Sequence, residues 1–271
     1  MSATLGELSV TKMHGTHNAF VIIDERPPRI ADYSALAMRV CDPASGPGAD
    51  GLLVILAPPP ASDDLVTMRI FNADGSEAEM CGNGIRCVVR YLQERGAPDR
   101  FSIATLAGSI ATELLERAPE YCVRADVGAP VLGGGEQTIE AAGRTWSYRA
   151  VSLGNPHVVI FVDDVDAIDV ARAGAALATH PRFPEGTNVH FVQRVGPHRI
   201  RVRHYERGVG ITQSCGTGAV AAAVAVIDAG GASAPVRVDV PGGSLTVEWR
   251  PNERATLAGP VEKVFERTIA L

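Results

Sequence analysis

Short apolar or alternating runs, bounded by Gly, Pro, Asn and Asp, recur along the chain and predict strands. They are Phe20–Ile23, Leu52–Leu56, Val66–Phe71, Phe101–Thr105, Val158–Val162, Val189–Val192, Ile200–Tyr205, Val236–Val240 and Leu245–Trp249. Two segments depart from this period of two. After Cys81-Gly-Asn-Gly, the residues Ile85, Val88, Val89 and Leu92 recur at helical spacing, and Gly96 and Pro98 end the run. After Cys215-Gly-Thr-Gly, Ala219 to Ile227 is apolar on every side, and Gly230–Gly231 end it. A helix apolar all round is a buried one. Two shorter helices are expected near Ser34–Cys41 and Val170–Ala178.

The pattern occurs twice. With Cys81 set on Cys215, TMRIFNADGSEAEMCGNG lies on RVRHYERGVGITQSCGTG at a constant offset of 134. Arg69 then meets Arg203, Phe71 meets Tyr205, Asn72 meets Glu206, and Gly82 and Gly84 meet Gly216 and Gly218. Upstream, HGTHNAFVIID (14–24) matches LGNPHVVIFVD (153–163), with Asn18 on His157. Downstream, FSIATLAGSIATEL (101–114) matches VRVDVPGGSLTVEW (236–249). Three matched segments in one order and at nearly one offset identify an internal repeat. The expected fold is therefore α/β (α+β), with two pseudo-symmetric repeat domains, each a mainly antiparallel sheet around a central helix. Residues 1–117 with 263–271 are expected to form the first domain and 118–262 the second, the tail returning as a strand to the first.

Composition narrows the class. A chain of 271 residues, 46% hydrophobic and 21% charged, is long enough to bury a real core in each repeat. A net charge of −6 gives no basic surface for nucleic acid. The longest apolar run is nine residues, against roughly 20 needed to span a bilayer. No secretory leader is visible, so a cytoplasmic location and no membrane partner are expected. Cys41, Cys81, Cys87, Cys122 and Cys215 form no CxxC pair and no zinc-like spacing with His, so neither a metal site nor a disulfide framework is expected. Cys41, Cys87 and Cys122 read as small buried hydrophobes.

Cys81 and Cys215 read differently. Each precedes a Gly-x-Gly that opens a helix, where unpaired N–H groups and the dipole lower a thiol pKa and form a carboxylate site. Two such thiols suit inversion at a carbon centre, where one group removes a proton from one face and another delivers a proton to the opposite face. The helix-end amides would stabilise charge building on the substrate carboxylate. Pyridoxal phosphate, the usual alternative, needs a Schiff-base lysine. Of 25 basic residues only Lys12 and Lys263 are lysines, and neither sits in a phosphate-binding context. No cofactor is expected.

HGTHNAF, FNADGSEAEMCGNGIR, LGNPH, PEGTNV, YERGVG, SCGTGA and VPGG, in this order from residue 14 to 243, resemble the successive signatures of the diaminopimelate epimerase family. The resemblance implies two similar domains with the active site in the cleft between them. It also implies cofactor-independent interconversion of LL- and meso-2,6-diaminopimelate, a small-molecule substrate, in lysine and peptidoglycan precursor synthesis. A homodimer is compatible with it. By motif, Cys81 and Cys215 would be the acid/base thiols, and Gly82, Asn83, Gly216 and Thr217 would offer amides to the reacting carboxylate. His157 and Glu206 would lie beside the thiols. Asn18, Asn72, Asn155, Asn188 and Arg207 would read the distal amino and carboxylate groups, as their donor and acceptor chemistry allows.

Three departures stand out. Ala19 occupies a position where the family usually has Asp, and Ile211 one where it usually has Glu; His17 replaces a frequent Gly. A racemase of proline, hydroxyproline or histidine type on the same fold is the nearest alternative reading, and Asn83 after the first Cys-Gly opposes it. A non-catalytic amino-acid binder or thiol-redox protein has no need of two thiols set symmetrically at helix starts.

Overall fold

The computed structural model describes residues 6–270. By contacts the chain divides into two units, one running to Ala125 and resuming at Gly259, the other Asp126–Ala258.

The first unit contains β1 (Glu7–Gly15), β2 (Asn18–Asp24), α1 (Tyr33–Cys41), β3 (Gly51–Leu56), β4 (Val66–Asn72) and β5 (Glu77–Ala78). It continues with α2 (Gly82–Gln93), β6 (Arg100–Thr105), β7 (Gly108–Glu116) and β8 (Tyr121–Asp126). The second unit contains β9 (Val131–Leu132), β10 (Gln137–Ala141), β11 (Arg144–Ser152), β12 (Pro156–Phe161), α3 (Val170–Ala178) and β13 (Asn188–Gly196). After these come β14 (Arg199–Glu206), β15 (Gly210–Thr212), α4 (Gly216–Asp228), β16 (Val236–Val240) and β17 (Gly243–Glu248). The last strand, β18 (Thr256–Ala270), pairs with β17 through Thr256–Ala258 and with β1 through Glu262–Ala270.

The repeat seen in sequence is a repeat of topology. In the first unit β2 and β3 are parallel, β3 and β4 antiparallel, β4 and β6 parallel, β6 and β7 antiparallel. In the second, β12, β13, β14, β16 and β17 follow the same alternation. Parallel neighbours need a crossover, and the helices supply it. α1 links β2 to β3 and α3 links β12 to β13, while α2 and α4 lie between β4 and β6 and between β14 and β16. In the first unit the ladder closes on itself through β8, β7, β6, β4, β3, β2, β1 and β18. Closure leaves no free edge on that ring.

Strands wrap the second helix of each repeat, and the burial patterns say why. The face of α2 bearing Ile85, Val88, Val89 and Leu92 is buried against Met13, Phe20, Leu53, Met68, Ile103 and Val123. In α4 every residue from Ala219 to Val226 is 0% exposed. The short helices cover the outer faces of the same strands. α1 packs Leu36, Ala37 and Val40 on Val21, Ile23, Leu52 and Val54, and α3 packs Ala173 and Leu177 on Ile160, Val189 and Phe191. Among the described residues no helix is long and apolar enough to cross a membrane.

Candidate active site

Each central helix begins on a cysteine. Cys81 and Cys215 are the N-cap residues of α2 and α4, both in extended conformation, and each sulfur accepts from the third residue on, Gly84 or Gly218, at 3.4 Å. A thiol thus takes the capping role that Ser, Thr, Asp or Asn usually fills, satisfying one of the helix's four orphan N–H groups.

Around Cys81 the first repeat gathers Asn18, Asn83 and Arg86. A two-residue turn, Thr16–His17, joins β1 to β2, with φ of 51° and 63°, so Asn18 is the first residue after a strained turn. Asn18 Oδ1 lies 3.9 Å from Cys81 Sγ and accepts from Asn83 Nδ2 at 3.2 Å. Asn18 Nδ2 donates to Asp50 Oδ2 at 2.9 Å, and the Ala19 amide donates to the same oxygen at 2.7 Å. Arg86, fully buried, donates through Nη1 to the Gly82 carbonyl at 3.0 Å; its Nε and Nη2 have no hydrogen-bond partner among the described residues. Burial pulls its pKa down, and the neighbouring thiols Cys87, Cys81 and Cys122 act the other way. The cation is thus placed to favour a thiolate at Cys81. Asn72 is exposed and bonded within its own turn, its Nδ2 donating to Ser76 Oγ at 2.9 Å.

The second repeat gathers more of the expected residues. Cys215 Sγ lies 3.7 Å from Thr217 Oγ1, and Asn155 Nδ2 donates to that oxygen at 3.5 Å. Asn155 Oδ1 faces His157 Nε2 at 2.8 Å. Asn188, paired with His157 across β12 and β13, accepts from the Arg207 amide at 3.0 Å and donates to the Pro156 carbonyl at 3.1 Å. Arg207 Nη1 donates to the Glu185 carbonyl at 3.0 Å. Glu206 accepts from Thr212 Oγ1 at 2.5 Å, so the hydroxyl beside Ile211 holds the carboxylate.

The electrostatics of Cys215 differ from the helix-start expectation. Burial pushes its pKa well above the ordinary value, and the Glu206 carboxylate pushes it further, outweighing donation from Gly218 N–H and Thr217. Desolvation here exceeds the dipole effect that sequence position implies. His157 is held neutral, at about 3, by burial and then by Arg207. At the remaining cysteines burial disfavours the thiolate. Burial raises Cys41 to about 11 and Cys87 to about 12, and raises Cys122 as well.

The sequence does not single out five further residues around the two thiols. Asp50 and Thr212 bond to expected residues from other strands or loops, Arg86 reads as a helix residue, and His190 and His204 read as strand positions. For the two histidines a faint signal exists: period-two alternation puts His204 on the face of Ile200 and Val202, a buried side unusual for His. Two surface cavities, one lined by Arg39, Ser45 and Arg267 and one by Trp249, Glu253 and Arg254, include none of the site residues.

Comparison with known proteins follows from this arrangement. The diaminopimelate epimerase family model matches residues 10–133 and 149–264. A diaminopimelate epimerase of Pelotomaculum thermopropionicum is 45% identical, over 94% of this chain and 96% of its own length. One from Desulforudis audaxviator is 44% identical over 96% and 98%, and one from Synechococcus elongatus 41% over 97% and 99%. Among solved structures, a Bacillus anthracis PhzF-family phenazine biosynthesis protein superposes with TM-score 0.78 at 16% identity, covering 98% of this chain and 100% of its own. A hydroxyproline epimerase from Agrobacterium vitis gives TM-score 0.70 at 17% identity, covering 98% and 93%. Likenesses at that identity speak for the fold alone, that of two pseudo-repeat domains. The sequence matches go further: the chain belongs to the diaminopimelate epimerase family.

Proposed function

We propose that this protein interconverts LL- and meso-2,6-diaminopimelate without a cofactor, by proton transfer at one α-carbon between the Cys81 and Cys215 thiols. The observation that carries the reading is the equivalence of the two cysteines. Each caps the central helix of one repeat with the same bond to the glycine amide three residues on. One thiolate removes the α-proton and the other thiol delivers a proton to the opposite face; their protonation states are exchanged after each turnover. Burial and Glu206 favour the protonated form of Cys215, which suits it to the acid role in one direction, and the interaction with the Arg86 cation suits Cys81 to the base role. The helix-start amides of Gly82, Asn83, Gly216 and Thr217 are suited to hold the reacting carboxylate, whose charge grows as the proton leaves. Asn18, Asn72, Asn155, Asn188 and Arg207 are suited to the distal amino-acid group, with Arg207 pairing its carboxylate.

The test is α-proton exchange and inversion of LL-diaminopimelate in deuterated water. Formation of the meso isomer carrying deuterium at the inverted centre supports the reading. Exchange with proline or lysine at comparable kcat/KM, or none with diaminopimelate, overturns it, since a site built for a second amino-acid centre rejects analogues that leave its polar groups unpaired.

A further inference from the structure

The three buried histidines of the second repeat form a single file that ends at Cys215. His157, His190 and His204 sit on the adjacent strands β12, β13 and β14, and His190 is directly opposite His204 in the ladder. His157 Nδ1 meets His190 Nε2 at 2.8 Å, and His190 Nδ1 meets His204 Nδ1 at 2.8 Å. At the other end His157 Nε2 meets Asn155 Oδ1 at 2.8 Å, and Asn155 and Thr217 carry the contact to the sulfur. All three histidines are 0–1% exposed. His190 also presses on the helix start itself: a methyl group on Gly218 would lie 2.4 Å from its Cε1. The ring nitrogens bond to one another, and among the described residues no group of His, Cys, Asp or Glu converges to hold a metal ion.

The chemistry of the end group sets the direction of every bond. A neutral imidazole has one donor and one acceptor nitrogen, and an amide oxygen only accepts. Asn155 Oδ1 therefore requires the proton on His157 Nε2. His157 Nδ1 then accepts from His190 Nε2–H, and His190 Nδ1 accepts from His204 Nδ1–H. Asn155 Nδ2 donates to Thr217 Oγ1, which leaves the Thr217 proton to point at Cys215 Sγ. All donors face one way. A reversed file would put a proton on His204 Nε2, which is buried without a hydrogen-bond partner among the described residues, and orphaned N–H donors are the rarer defect.

We propose that His190 and His204 are positioning residues for Cys215. They lock His157 as the Nε2–H tautomer, turn the Asn155 amide and leave the Thr217 hydroxyl free to donate to the sulfur. Successive donors polarise one another, so the last bond is strengthened when negative charge develops on that sulfur. The rings stay neutral for this: burial holds His204, like His157, at about 3, and His190 well below its usual value. The charged groups facing this chain are Glu206 beside Cys215, Arg207 toward His157 and Arg203 toward His204.

The consequence for turnover rests on the epimerase reading; the tautomers do not. Long-range proton–nitrogen NMR correlation on histidine-labelled protein near pH 7 should show Nε2–H at His157 and His190 and Nδ1–H at His204. A proton on His157 Nδ1, or on both nitrogens of any of the three, overturns the proposal. Alkylation of Cys215 against pH, followed by peptide mass, gives a second readout. His204→Leu should displace its midpoint upward and His204→Asn, whose amide nitrogen takes the place of Nδ1–H, should restore it. His190→Gln, which keeps a donor toward His157, should preserve the His157 tautomer if the leucine variant fails to fold. On LL-diaminopimelate, kcat should fall about 10-fold in His204→Leu and stay within about twofold in His204→Asn. Equal effects of Leu and Asn, or no midpoint shift in a folded leucine variant, would also overturn it. Failure of the wild-type protein to exchange the α-proton would remove the epimerase reading and leave the NMR result standing.

Discussion

One carboxylate oxygen of Asp50 holds Asn18 at two points, accepting from its side-chain amide at 2.9 Å and from the following backbone amide of Ala19 at 2.7 Å. Because Asp50 takes the Nδ2 end, the Oδ1 end of Asn18 must face Asn83 and the Cys81 sulfur. An acid is thus supplied from the loop before β3, next to the position where Ala19 stands in place of the usual family Asp. Asp50→Ala should let the Asn18 amide rotate and raise KM for diaminopimelate about 10-fold, whereas Asp50→Asn, which keeps an acceptor, should do less. Steady-state kinetics of both variants checks this; equal, wild-type KM values would show that the orientation of Asn18 is immaterial.

In the proposed two-thiol mechanism, removing either thiol leaves one face of the α-carbon without a proton carrier. Cys81→Ala and Cys215→Ala should each lower epimerisation by about 10³-fold or more. Cys41→Ala and Cys87→Ala should leave the rate near wild type and cost stability only, since both are buried in the core. Circular dichroism alongside the assay separates lost chemistry from lost fold.

The charges that interact with the two thiols are of opposite sign, so removing each should move the two titrations in opposite directions. Glu206 raises the Cys215 pKa, so Glu206→Gln should lower the pH at which Cys215 becomes alkylatable. Arg86 is a buried cation interacting with Cys81, so Arg86→Met should raise the corresponding midpoint for Cys81. Peptide-resolved alkylation rates from pH 6 to 10 measure both; shifts of the same sign would refute the opposite influence of the two charges.

Arg207 depends on a glycine. Gly186 has φ +72°, and a Cβ there would lie 3.0 Å from Arg207 Cδ. Gly186→Ala should cost about 1 kcal/mol in backbone strain and push the guanidinium aside. KM should rise more than kcat falls, because Arg207 is assigned to the distal carboxylate. A kcat defect with unchanged KM would place Arg207 nearer the reacting carbon.

The buried histidines make the fold acid-sensitive. In the unfolded chain they titrate near 6.5, whereas in the folded state His157 and His204 resist protonation down to about 3. Above pH 6.5 both states are neutral and nothing changes. Below it the unfolded state takes up protons first, so stability falls by about 1.4 kcal/mol per pH unit for each ring. Urea midpoints should decline from pH 6.5 to 4.5, and less steeply in His204→Asn. A flat profile in the wild-type protein would contradict neutral burial of the file.

Much of this molecule is written in local pattern. The short apolar or alternating runs mark β2, β3, β4, β6 and β12 to β17, apart from the short β15, because each such strand has at least one buried face. The apolar stretch after Cys215 marks α4 because nothing else buries Ala219 to Val226 on every side. Duplication of Cys-Gly-x-Gly marks the two thiols as equivalent positions before any coordinate is known. Strands such as β7 and β11 were not legible: Thr112, Glu113, Arg144 and Arg149 interrupt their apolar residues, and only neighbouring strands make them β. Register was equally hidden. Alternation tells which face a side chain takes, yet not which residue lies across from it, so the meeting of His190 with His204, and of Asp50 with Asn18, waited on the assembled sheet. The Cys215 pKa is the clearest case. A helix start taken alone lowers it, but the tertiary structure buries the thiol and sets Glu206 beside it, and desolvation with a like charge outweighs the dipole.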